Sequence, residues 1–119
     1  MKTESITFNK EAQENLPEEV KAKMRLDRVL AQVKMERQRQ NEKWGVQNRN
    51  AVEWIAILTE EVGEASKEAV DFYFANGDIN PHNPAGPELQ RQRLKNFRKE
   101  LIQVAAVAIQ AVENIDRDY

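Results

Sequence analysis

The chain has no cysteine and a single histidine, His82. Disulfide scaffolds, cysteine zinc sites and thiol catalysis are therefore excluded, and so is a multi-histidine metal centre. Long apolar runs are missing too: no stretch approaches the roughly 20 residues that a membrane span needs. The opening segment MKTESITFNKEAQENLPEE lacks the apolar core of a signal peptide, so a soluble, cytoplasmic protein without a membrane partner is expected. Neither sign of charge dominates: 18 Lys and Arg oppose 20 Asp and Glu, a formal net charge of -2. A general nucleic-acid binder is usually basic, which disfavours nucleic acid as a partner. What remains for chemistry is carboxylates, amides, lysine, arginine and a few aromatics. With 119 residues, one domain with a modest core is expected.

The apolar spacing predicts helices and no strand. Residues 1–16 are polar and read as an N-terminal arm, followed by a single domain over 17–119. Pro17, Glu18 and Glu19 suit a helix start, since proline is tolerated in the first turn and acids favour the positive end of the dipole. This helix should end near Lys43-Trp44-Gly45. A second helix is predicted from Ala51 to Ala75, with Asn50 as its cap and Glu53 completing a capping box. Proline and glycine cluster in 76–87, which reads as a loop. A third helix should run from Glu88 to about Asp116. Its second half, LIQVAAVAIQAV, is apolar nearly all round. A helix of that kind is buried, and three helices offer little room to bury it. The expected fold is thus an all-α antiparallel bundle completed by a second copy of the chain, as a homodimer or homotetramer.

The second helix carries the most informative pattern. At about 100° per residue, Trp54, Ile57, Glu61, Glu64 and Glu68 line one narrow face. Ile55, Leu58, Val62, Ala65, Ala69 and Phe72 form the apolar stripe beside it. Glu60, Glu61, Glu64 and Glu68 crowd two turns with only Lys67 as a local counter-charge. Like charges three or four residues apart destabilise a helix slightly, and more so next to a dry core. Two readings of this pattern are open. One is a solvated acidic face paired with basic groups on other helices. The other is a divalent cation; hard oxygen donors without sulfur or histidine select Mg²⁺ or Mn²⁺ over Zn²⁺. On the third helix, Glu100 and Gln103 head the apolar run. In an antiparallel pair they would face Glu61 and Glu64, as a metal site or as a structural Glu–Gln hydrogen-bond pair. Gln110 reads as structural or interfacial.

At these residues the sequence resembles the all-α nucleoside triphosphate pyrophosphohydrolases, which include MazG-like proteins, dimeric dUTPases and phosphoribosyl-ATP pyrophosphatases. Glu60-Glu61-Val62-Gly63-Glu64 matches their EExxE signature, and Glu100-Leu101-Ile102-Gln103 stands in the place of their ExxD. Asn41-Glu42-Lys43-Trp44-Gly45, Trp54 and ELIQVAAVAIQAVE fit a phage- or prophage-associated MazG-like group. The resemblance spans roughly residues 25–115. It implies hydrolysis of a nucleoside or deoxynucleoside triphosphate to the monophosphate and pyrophosphate, for nucleotide-pool cleaning. By the same resemblance, Glu61, Glu64 and Glu100 hold Mg²⁺ (or Mn²⁺), with Gln103 in the aspartate's position. Glu60 is an extra ligand or orients the attacking water. Two departures stand out: the neutral amide of Gln103, and a longer gap between Glu64 and Glu100.

Substrate contacts would come from basic and aromatic groups near the motif. Lys43, Lys95, Arg98 and Lys99 are candidates for the β and γ phosphates, within a basic stretch that also holds Arg91 and Arg93. Trp54, and less so Trp44, offers an apolar slab for a base. Each has a bland alternative: a solvated face for the cations, packing for the tryptophans. His82 reads as an exposed loop residue. The competing reading of the whole chain is a catalytically inert helical module that keeps the fold for interaction or regulation, supported by Gln103.

Overall fold

The computed structural model describes residues 14–75 and 86–119. Three α-helices are found there, and no strand among the described residues: α1 Glu18–Trp44, α2 Ala51–Ala75 and α3 Pro87–Asp118. The fold is all-α. Most of the expected arm, all but two residues of the expected loop 76–87, and His82 lie outside the described residues. None of the described helices is long and apolar enough to cross a membrane.

Chain contacts divide the protein at Ala31. In the first unit, the carbonyl of Pro17 accepts the amides of Val20 and Lys21, each at 3.0 Å, and so opens the first turn of α1. Lys21 pairs with Glu18 at 3.3 Å on the surface of that turn.

The second unit, Gln32–Tyr119, contains the rest of α1 and all of α2 and α3. Helix α1 stops where Gly45 takes a φ of 72°, a left-handed conformation open to glycine, and donates its amide to Asn41 O at 2.8 Å. Helix α2 starts with the predicted reciprocal cap. The Glu53 amide donates to Asn50 Oδ1 at 2.8 Å, and the Asn50 amide to Glu53 Oε1 at 3.1 Å. Pro87 opens α3 one residue earlier than expected, because its missing N–H costs nothing in the first turn.

Helices α2 and α3 run antiparallel. Trp54, near the start of α2, bonds Asn114 near the end of α3, while Asp71 pairs with Arg93 at 3.6 Å toward the other end. The core between them is small: Trp54, Ala65, Ala106 and Val107 are buried, with Val33 from α1. Buried polar groups are as prominent as apolar ones there, namely Arg37, Gln40, Gln110 and Asn114.

The rotation of α2 differs from the expected one. Trp54, Ile57, Leu58, Glu61, Ala65, Glu68 and Phe72 are turned inward to varying depth, whereas Ile55 is 62% exposed and Val62 45%. The largest side chain sets this rotation. Burying the Trp54 indole and satisfying its N–H against Asn114 outweighs burying Ile55, which lies about 100° round the helix. The consequence is that Glu61 and Glu68 face α3, and Val52, Ile55, Val62 and Val70 form an exposed apolar side.

Candidate functional site

The antiparallel pairing carries Glu100 of α3 to the acidic turns of α2. Glu100 lies within the field of Glu64 and Glu68, and Glu61 within the fields of Glu100, Glu60, Glu64 and, from α1, Glu36. Both Glu61 and Glu100 are half-buried, and both bind their protons more tightly than an ordinary glutamate. Loss of solvent is the main cause in each, followed by repulsion from the neighbouring carboxylates. Lys99 partly offsets this at Glu100. The Oε2 of Glu68 is buried and has no hydrogen-bond partner.

Glu36 is held differently. Arg39 donates to both of its carboxylate oxygens, the shortest contact being 2.6 Å, and Gln40 Nε2 adds a bond of 3.3 Å. The Arg39 bonds pull the Glu36 carboxyl below the ordinary range despite partial burial. Glu36 thus stays anionic and contributes to holding Glu61 up.

The donor set around Glu61 has the chemistry of a hard divalent cation site: carboxylates, the nearby Gln103 amide and one orphaned buried oxygen. Among the described residues, however, no three His, Cys, Asp or Glu side chains are placed to hold one metal ion together. Side-chain rotation would be needed to close a coordination sphere, and Glu60 and Glu64 are exposed enough to turn freely.

Next to this cluster is a cavity of about 300 Å³. Glu61 and Gln103 line it at the acidic end, Trp54, Ile57 and Val107 give apolar wall, and Arg39 and Arg49 bring positive charge. Trp44 also reaches it but is largely exposed, with Lys43 Nζ 4.9 Å from its ring centroid. Trp54 cannot swing. Its Nε1 donates to Asn114 Oδ1 at 2.7 Å, the same oxygen accepts the Arg49 amide at 2.8 Å, and Asn114 Nδ2 donates to Asp118 at 2.9 Å. Asn114 is only 1% exposed, and it ties the α1–α2 connection, α2 and α3 to one point.

The remaining sequence candidates are scattered. Lys95 and Arg98 are exposed on α3 and do not line the cavity. Lys99 is exposed beside Glu100 and Glu36. Arg93 is occupied by Asp71. Sequence reasoning passed over Arg39, Arg49, Gln40 and Gln47 in the cavity wall, and Asn114 behind it. The one available signal was the line Gln103, Gln110, Asn114: polar groups at helical spacing within an apolar run.

In comparison with known proteins, no family model matches the chain, and no curated protein or solved structure matches it either.

Proposed function

We propose that the chain is a metal-dependent nucleoside triphosphate pyrophosphohydrolase of the MazG-like kind, releasing a monophosphate and pyrophosphate. The observation that supports this reading is that the antiparallel pairing brings Glu100 of α3 within the electrostatic reach of Glu61 and Glu64 on α2, two motif segments far apart in sequence. Repulsion among crowded carboxylates is relieved by a proton or by a cation, and the oxygen donor set suits a hard cation. In this reading Glu61, Glu64 and Glu100 hold Mg²⁺ or Mn²⁺, with Gln103 as a neutral oxygen donor. The bound cation would neutralise phosphate charge and acidify a water molecule. Glu60 would be an extra ligand or would orient the attacking water. Trp54 and the cavity beside it would seat the nucleoside, with Arg39, paired to Glu36, and Arg49 in the same wall. Lys43, Lys95, Arg98 and Lys99 keep the approach positive. The exposed side of α2, with Val52, Ile55 and Val62, supports assembly with a second copy.

A second reading, an inert helical interaction module, is favoured by one observation: no three candidate ligands converge among the described residues. Pyrophosphate release from a panel of ribo- and deoxynucleoside triphosphates, with Mg²⁺ or Mn²⁺, separates the two. The enzyme reading expects turnover of at least one nucleotide, lost in Glu61→Gln and Glu64→Gln with the helical circular dichroism intact. Absence of turnover across the panel overturns it.

A further inference from the structure

Two amides in the cavity wall have no partner among the described residues. Gln103 is half-buried, and Gln110 is only 7% exposed; both line the cavity and neither has a hydrogen bond to a described residue. Their neighbours differ. Gln40 gives its amide nitrogen to Glu36 and accepts from Arg37, and Gln47 accepts from Arg49 at 3.5 Å. The Gln110 residue is buried, yet its amide atoms keep access to the cavity space, so they are placed to pair with whatever occupies it. Glutamine on this face is not required for packing, since Val107 fills the same wall with an aliphatic side chain.

The chemistry of the cavity defines its occupant. The wall beside Gln110 is flat and apolar, made by Trp54, whose ring is pinned from behind by Asn114. Gln110 offers a donor and an acceptor side by side. Gln103 lies seven residues back along α3, about 10 Å nearer the acidic cluster. Arg39 and Arg49 line the cavity too, but Arg39 is bound to Glu36, Arg49 lies 3.9 Å from Glu53, and Glu61 lines the same cavity, so the wall carries both signs of charge. A volume of about 300 Å³ sits at the small end of ligand pockets. A molecule that has an apolar face and an edge carrying adjacent donor and acceptor is a nucleobase.

We infer that Gln110 is the residue that reads the nucleobase edge, and that base preference in this protein is set by its side-chain amide in the Trp54 cavity. Gln103 then faces the sugar or the α phosphate. The assignment of an anionic tail to the Glu61 end rests on the hydrolase reading above. The reading of a base by Gln110 does not, because it needs only binding.

The test measures binding and hydrolysis separately on the full chain. Binding of the adenine, guanine, cytosine and uracil nucleoside 5′-monophosphates is followed by titration calorimetry, and hydrolysis of the matching triphosphates by pyrophosphate release with Mg²⁺. Wild type is expected to prefer one base by about tenfold or more, the scale on which a buried hydrogen-bonding group discriminates. Gln110→Met, close in volume, should bring the four affinities within about twofold of one another, with unchanged helical content. Ile57→Phe, which fills the cavity from the opposite wall, should abolish binding of all four. Preference retained in Gln110→Met overturns the inference. Should that variant fail to fold, Gln110→Glu, which keeps the acceptor and loses the donor, takes its place: a changed order of affinities supports the inference and an unchanged order overturns it. Binding with a Gln110-dependent preference but no hydrolysis supports the inference while ending the hydrolase reading. Hydrolysis whose base profile ignores Gln110→Met does the reverse. Failure of the wild type to bind any of the four overturns the inference outright.

Discussion

The indole nitrogen of Trp54 donates to Oδ1 of Asn114 at 2.7 Å, joining α2 to α3 across 60 residues of sequence. The same oxygen receives the backbone amide of Arg49, so one buried acceptor fixes both the aromatic wall of the cavity and the connection leading into α2. Asn114→Ala leaves these two donors without an acceptor. It should cost about 3 kcal/mol in denaturant unfolding and shift the tryptophan emission to the red. Asn114→Asp is the sharper probe. It keeps the acceptor but sets a second carboxylate beside Asp118, whose Oδ2 now receives the Asn114 amide at 2.9 Å. The new carboxyl should bind its proton more tightly folded than unfolded. Its destabilisation should therefore be absent below the unfolded aspartate value, roughly 4, and should grow as pH rises through the folded value.

The acidic turns of α2 make a prediction of their own. Glu61 and Glu100 both hold their protons to higher pH in the folded chain, chiefly through lost solvent and then through each other and their acidic neighbours. A raised carboxyl value means that the folded state binds more protons. Stability is then greatest below the unfolded glutamate value, roughly 4.3, and declines as pH rises through the folded values. Glu36, lowered by Arg39, has the opposite sign, yet its partner is half exposed and screened. Glu61→Gln should raise the melting temperature at pH 7 by the equivalent of a few tenths of a kcal/mol, and flatten the decline with pH. The same variant should lose turnover. A stability gain paired with an activity loss is the mark of a functional rather than a packing residue.

Local chemistry made the helices legible in the sequence. The Asn50–Glu53 box and Gly45 after α1 act within a few residues and lie where the spacing put them, and Pro87 opens α3 one residue before the expected start. The rotation of α2 was not legible, because it depends on a hydrogen bond to a residue on another helix. Ile55 and Val62 fit an apolar stripe by spacing alone; only the depth of Trp54 reveals that they face outward. The acidic half of the site, Glu61, Glu64 and Glu100, stood out as charge against charge. Arg39 and Arg49 did not, since a cavity wall is assembled from three segments whose residues carry no shared pattern, and Gln110 read only as structural or interfacial.

Gly63 gives a stability test that leaves the carboxylates untouched. It sits inside α2, between Glu60-Glu61 and Glu64, and a Cβ added there meets nothing within 4 Å. Glycine in a helix interior is destabilising by roughly 0.5–1 kcal/mol relative to alanine, because more backbone freedom is lost on folding. Gly63→Ala should therefore raise the melting temperature by a few degrees with unchanged helical content. A loss of stability would mean that a second chain packs closely on this turn, and sedimentation of wild type against variant would then show weakened association.

Arg37 is the remaining buried charge that a measurement can isolate. Its side chain is 10% exposed, and its Nε donates to Glu113 Oε1 at 2.8 Å, linking α1 to α3. The other two nitrogens reach only neutral oxygens, Gln40 Oε1 and Asn41 Oδ1, each at 3.2 Å. Glu113 is half exposed, so the pair itself contributes modestly, but the guanidinium is not free to return to water. Glu113→Ala strands that charge and should cost about 1–2 kcal/mol in urea unfolding. Arg37→Met with Glu113→Leu removes the desolvation and the pairing together, and should be closer to wild type than Glu113→Ala alone. The coupling from the full cycle should approach 1 kcal/mol, reduced at high salt only slightly because one partner is buried. A coupling near zero would show that Arg37 is held by Gln40 and Asn41, and that α1 meets α3 without this ion pair.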